Sequence, residues 1–194
     1  MRVNAVLKSL GRDALKKRVI GSEPLESIQK IWSVLSKIPR GNVLLSKLIG
    51  RFVPYTGSIN PEILELRPGY CRIQIADRPK LRNHLNSIHA LAIANLGEAA
   101  SGLALNIQIP QEFGAILVRL EAEYVKKARG VIVAESNVGL LDFEGISSVH
   151  AESIISDSAG QKVALIRTEW KIGKKPEKRP SASSQKFASM GVTF

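Results

Sequence analysis

Cysteine is almost missing from this chain of 194 residues. The single Cys71 excludes an intramolecular disulfide framework and a cysteine-based zinc cluster. Three histidines add no recognisable ligand spacing, so no metal and no cofactor are expected. Aromatic residues are scarce, at 5%, against 44% apolar residues, so the core must rest on Leu, Ile, Val and Ala. The N-terminal region lacks the uninterrupted apolar run of a secretory signal. One cysteine suits a reducing compartment, and a soluble, cytoplasmic protein is the expectation.

Charge is also missing from one long stretch. Between Asn83 and Gln111 the only formally charged residue is Glu98. It lies in a run of small and apolar residues, Ile88 to Leu105, that reads as a buried helix. Burying a lone carboxylate costs on the order of several kcal/mol unless something specific holds it. Such acids are usually paired, protonated or catalytic. The stretch to Ile109 is long enough to suggest a membrane span, but Glu98, His89, Asn95, Gly97 and Gly102 argue against one.

What is abundant is positive charge, at a net +11, and it is unevenly placed. Residues 1–20 carry +5 and residues 171–194 carry +5, leaving +1 for everything between. A nucleic-acid-binding domain would want a basic face on the fold itself, so no specific nucleic-acid partner is expected. The basic N-terminal segment has helical spacing at Val3, Val6, Leu7, Leu10, Leu15 and Val19. It reads first as a helix packed on the domain, with weak membrane-surface contact or a targeting segment as the sharper alternatives.

Ser22 and Pro24 then open a second helix with a stripe at Leu25, Ile28, Ile31, Trp32, Leu35 and Ile38, stopped by Pro39 and Gly41. Val43 to Ile49 reads as a short helix. After Tyr55 the period changes. Ile63 to Leu66 and Tyr70 to Ile75 read as two strands turning at Arg67-Pro68-Gly69. The apolar helix follows, then four apolar-rich runs at 115–126, 130–142, 146–157 and 162–172. Lys171 to Lys186 is basic and reads as disordered. This divides the chain into a helical extension (1–50), one α+β domain (51–173) and a basic tail (174–194). A helix that apolar must be wrapped, and a curved antiparallel sheet does so.

Asn83, His89-Ala90 and Glu98 share a spacing. A polar amide residue precedes a His and a small residue at a helix start, and an acid follows nine residues after the His. Here the chain resembles the hotdog-fold thioesterases, in particular the phenylacetyl-CoA thioesterase-like branch and its relatives of unknown function. The likeness runs from Val53-Pro54-Tyr55-Thr56-Gly57 to Lys126-Lys127-Ala128-Arg129-Gly130, and the strand order fits to about residue 172. Ala90 stands where the family usually has Gly, and Glu98 where many relatives have Asp. Ala115 and Ile116 stand near the point where several members place Ser or Thr.

The resemblance implies a hotdog fold, a homodimer or tetramer, and acyl-CoA as substrate. It makes Glu98, Asn83, Ala90 and His89 the candidate catalytic residues. Thioester hydrolysis needs a polarised carbonyl, which a helix N-terminal N–H such as that of Ala90 provides. It also needs a carboxylate that attacks or activates water, for which Glu98 is the candidate. Asn83 would hold water or the carboxylate. His84 and His89 each read first as structural, and Ser101 as a packing residue. Lys126, Lys127 and Arg129 read either as a solvated hairpin tip or as contacts to the coenzyme A phosphates.

Spacing adds a constraint. Ala90 and Glu98 are eight residues apart, about 12 Å along one helix. They cannot both touch one thioester carbon, so a working site needs Ala90 of one copy and Glu98 of another. His84 and Glu98 have a separation similar to hotdog dehydratases, but the Pro/Gly-rich segment between those residues is missing here. The main rival is a hotdog protein that binds an acyl group without turning it over.

Overall fold

The computed structural model describes residues 24–175. The expected helix over 3–20, its neighbour Ser22 and the tail beyond Lys175 lie outside the described residues. The chain begins with α1 (Pro24–Leu35), α2 (Gly41–Phe52) and α3 (Pro54–Ser58). Strands β1 (Glu62–Arg67) and β2 (Tyr70–Ile75) precede the central helix α4 (Ala90–Asn106). Four more strands follow: β3 (Phe113–Tyr124), β4 (Ile132–Asn137), β5 (Ser148–Asp157) and β6 (Lys162–Lys174). They form one six-stranded antiparallel sheet in the order β1-β2-β4-β5-β6-β3. The sheet curves around α4, which packs on every strand.

Period two builds the inner face. Along β5, Val149, Ala151, Ser153 and Ile155 are buried, while His150, Glu152 and Ile154 face outward. The helix is buried on nearly all sides, and small residues let it approach the sheet closely. A Cβ added at Gly97 would lie 2.5 Å from Ile166 Cγ1 and 2.7 Å from Ile166 Cβ. Ile166 is fully buried and its Cβ is fixed to β6, so neither element can yield cheaply. Gly97→Ala is therefore expected to destabilise the fold by about 1–3 kcal/mol, despite the better helix propensity of Ala. Urea unfolding measures this; a variant at or above wild-type stability would contradict the close approach.

The two sheet edges differ. At β1, Asn42 Nδ2 of α2 donates to Ile63 O at 2.8 Å, and Ser46 Oγ accepts from Ile63 N at 2.9 Å. Side chains of α2 thus cover that edge, and Leu45 and Ile49 join the main core beside it. The outer side of β3 has no strand partner among the described residues. This edge is 12 residues long and exposes Ile116, Val118 and Leu120. A register shift interrupts it between Leu117 and Arg119.

Four expectations need correction. The helix opened at Pro24, α1, ends at Leu35, before Pro39, and leaves Ile38 exposed. A short helix, α3, fills 54–58, where the change of period suggests only the approach to a strand. Strand β4 stops at Asn137, not 142. Beyond it Gly139 takes φ 67°, and Gln108 clamps the turn through Gly139 O (2.9 Å) and Leu141 N (3.0 Å). Finally, Lys171 to Lys174 belong to β6 rather than to a disordered tail. They pair with β3 at Phe113, Gly114, Ala115 and Ile116, and Ile172 among them is buried.

Candidate functional site

The loop before α4 is held by its own polar residues. Asn83 Oδ1 accepts from Leu85 N (2.9 Å), Ser87 N (3.3 Å) and Ser87 Oγ (3.2 Å). Two backbone donors on one oxygen fix the orientation of the amide. Asp77 ties this loop to the start of β4. It accepts from Arg82 Nε at 2.7 Å and Gly130 N at 3.1 Å. The Arg82 hydrogen bond, helped by the Gly130 N–H, holds the Asp77 carboxyl below its usual range. Arg82 and Arg129 both reach Asn86, at its Oδ1 and its carbonyl.

These bonds leave one donor over. A helix start presents N–H groups with no partner in the helix. Ile88 N donates to Ala128 O (2.9 Å) and His89 N to Leu81 O (2.7 Å). Leu91 N donates to His89 Nδ1 (3.1 Å), which makes His89 the N-cap of α4. Ala92 N and Ile93 N both donate to His89 O. The Ala90 N–H alone has no partner among the described residues, and Ala90 lines a pocket of about 240 Å³. Asn83, Ile93, Tyr124, Lys126 and Lys127 line the same pocket. Tyr124 Oη donates to Ala90 O at 2.9 Å from the end of β3.

Glu98 lies two turns further along α4 and does not line that pocket. Its side chain is half-buried and has no hydrogen-bond or ion-pair partner among the described residues. Burial pushes its carboxyl above the ordinary 4.5. Gly102 separates it from Trp170: a Cβ there would lie 3.7 Å from Glu98 Oε1 and 3.1 Å from the indole Cη2. Below the carboxylate runs a buried chain of hydrogen bonds. Trp170 Nε1 donates to Thr168 Oγ1, Thr168 Oγ1 to Ser101 Oγ, and Ser101 Oγ to Glu98 O, each at 3.0 Å. Ser101, expected only to pack, instead joins the sheet to the backbone of Glu98.

The structure thus gathers Asn83, Ala90, Lys126 and Lys127 about one pocket and holds Glu98 apart. Of the basic residues, Lys126 is occupied by Asp157 Oδ2 and Gln161 Oε1, both at 2.5 Å, and Arg129 by Asn86 O. Lys127 is exposed and makes no ion pair among the described residues. His84 is exposed on the loop. Cys71 is fully buried, and burial raises its thiol to about 12, so it is inert core filling. Tyr124 and Asp77 carry no motif in the sequence, since their partners Ala90 and Gly130 are 34 and 53 residues away. Among the described residues no cluster of His, Cys, Asp or Glu could hold a metal, and no helix is long and apolar enough to cross a membrane.

A curved antiparallel sheet wrapped on one buried helix, with an open pocket at the helix start, defines a hotdog-fold protein. Residues 41–172 match the family described as Domain of unknown function (DUF4442), and the chain belongs to that family. No curated protein matches it. Among solved structures, a structural-genomics protein shares 24% identity with a TM-score of 0.67, covering 79% of this chain and 100% of its own. A Staphylococcus aureus protein shares 18% identity with a TM-score of 0.57, covering 63% of this chain and 100% of its own. One of its structures, described as a thioesterase enzyme, carries a Gln-to-Ala change, and another, described as a hypothetical protein, a Glu-to-Ala change. An Asn-to-Asp variant of the phenylacetic acid degradation protein PaaI from Thermus thermophilus shares 18% identity with a TM-score of 0.53, covering 61% of this chain and 97% of its own.

Proposed function

We propose that this protein hydrolyses an acyl-CoA thioester at a site built from two copies of the chain. The observation that carries this reading is the Ala90 N–H, the one first-turn donor left without a partner among the described residues, opening on a pocket. It would donate to the thioester oxygen and stabilise the charge that develops there. Glu98 of the other copy would take a proton from water as that water attacks the carbonyl carbon. The carbon–sulfur bond then breaks, and the proton passes to the coenzyme A thiolate. A carboxylate whose proton affinity is raised by burial suits a general base working near neutrality.

Three further observations support the reading. The Gln and Glu altered in the S. aureus thioesterase are 15 residues apart, as are Asn83 and Glu98. The open β3 edge, with Ile116 71% exposed, offers a surface for a second copy. Lys127 stands without an ion pair at the pocket, among the described residues, and can meet a coenzyme A phosphate. Lys126 is held by Asp157 and Gln161 and would add mainly its field. Among the described residues Arg129 engages Asn86 O only through its Nε and keeps its terminal N–H groups for a phosphate.

Mixing two variants tests the two-copy site. Ala90→Pro removes the donor and Glu98→Gln the base. If the site crosses copies, each is inactive alone. Mixed and re-equilibrated, half of the dimers carry one intact site, and about a quarter of wild-type activity returns. No recovery despite verified exchange of subunits would place both groups in one chain's site and overturn the arrangement. Acyl-CoA binding without turnover by wild type, on any chain length, would reduce the reading to a binding protein.

A further inference from the structure

We infer that Tyr124 is the positioning residue of the Ala90 donor, an inference that rests on the catalytic reading above for its kinetic consequence. The first turn of α4 must hold the Ala90 N–H still against a developing charge, because a donor that must reorganise loses most of its value. Most of the turn is fixed from within its own segment. His89 supplies both its carbonyl and its Nδ1 to the amides that follow. The Ala90 carbonyl receives its added bond from elsewhere, from the phenol of Tyr124 at 2.9 Å. That bond fixes the peptide between Ala90 and Leu91. The same peptide's N–H is the donor to the His89 cap. Hydrogen bonds in series polarise one another, so Tyr124 Oη, the Ala90 carbonyl, the Leu91 N–H and His89 Nδ1 act as one chain.

The placement of Tyr124 on the fold gives the bond a second meaning. Tyr124 is the last residue of β3, paired with Ala164 of β6, and its ring lines the pocket at Ala90. β3 is also the open edge of the sheet. One side chain therefore ties the start of the central helix to the open edge strand. Partial burial raises the phenol's proton affinity, so it stays a donor across the working pH range. Sequence spacing marks Ala90 but not Tyr124, because strand and helix meet here only through the fold.

The test is Tyr124→Phe in the full chain, which keeps the ring and removes the hydroxyl. Tyr124 is exposed enough that the variant should fold, and thermal unfolding checks this. Two readouts are taken. The first is amide hydrogen exchange at Leu91, Ala92 and Ile93, expected to quicken about fivefold while amides in the middle of α4 hold their rates. The second is kcat and KM on an acyl-CoA, with kcat expected to fall about tenfold and KM to stay within about twofold. Unchanged exchange overturns the positioning role whatever the activity. Quickened exchange with wild-type kcat shows that the bond does not serve catalysis and also overturns the inference. If wild type turns over no thioester while exchange quickens, Tyr124 does fix the turn, and the hydrolase reading alone falls.

Discussion

Ala90→Pro is expected to fold as wild type does and to lose thioester turnover by about 10²- to 10³-fold, the usual cost of one oxyanion donor. Proline is normally a severe change within a helix, but its penalties come from a lost hydrogen bond and a clash with the preceding turn. Neither applies here. Ala90 is the first residue of α4, where proline is favoured, and its N–H has no partner to lose among the described residues. His89 before it sits at φ −64° and ψ 139°, the extended backbone that a residue preceding proline requires. The substitution therefore replaces the amide hydrogen with the ring Cδ while leaving the helix bonds in place. Paired measurements of kcat/KM and the urea midpoint decide it. Full activity in a well-folded variant would remove Ala90 from the chemistry.

Glu98→Gln should lower turnover by about 10²- to 10⁴-fold, the range that general acid–base groups supply. Its effect on stability should run the other way. Burial raises the carboxyl above 4.5 in the folded protein. In the pH interval between 4.5 and that raised value the folded state holds more protons than the unfolded one, so stability falls as pH rises. The favourable contribution is complete below 4.5 and gone above the folded value. Above its raised folded value the carboxyl carries a poorly solvated charge, and the neutral amide relieves it. The variant should then unfold at higher urea than wild type at about pH 7, with the difference vanishing near about pH 4. Wild-type kcat/KM should also decline on the acid side with a midpoint above 4.5. A midpoint at or below that value, or a variant less stable at neutral pH, would contradict a desolvated base.

Much of this is legible in the sequence because it rests on period and on solitary charge. Six strands and the central helix follow from alternation and from small-residue packing, and those signals are local. Glu98 stands out because nothing charged lies near it in the chain, and in the fold it has no partner among the described residues either. Spacing to Glu98 marks Asn83 and Ala90, and the structure brings both to one pocket. What stays hidden depends on contacts between distant segments. Lys126 reads as free in the sequence, yet Asp157, 31 residues on, lies beside it. Ser101 reads as filler, yet Thr168 reaches it from β6. The apolar run 138–142 reads as strand, but Gly139 and the Gln108 clamp turn it out of the sheet. The lysines after 170 read as tail because charge masks the alternation that buries Ile172.

The break in β3 between Leu117 and Arg119 has a consequence for how crowded copies of the folded chain meet. A long apolar edge is a template for pairing with any extended strand, and so a route to aggregation. A break in register shortens the straight run that a stray segment can match, and such a segment would have to copy the irregularity. Arg119, Glu121 and Glu123 line the strand beyond it, and they penalise an incoming neighbour of the wrong charge. The edge is thus adhesive over a short length and selective over the rest, which limits the strands that can add to the folded sheet.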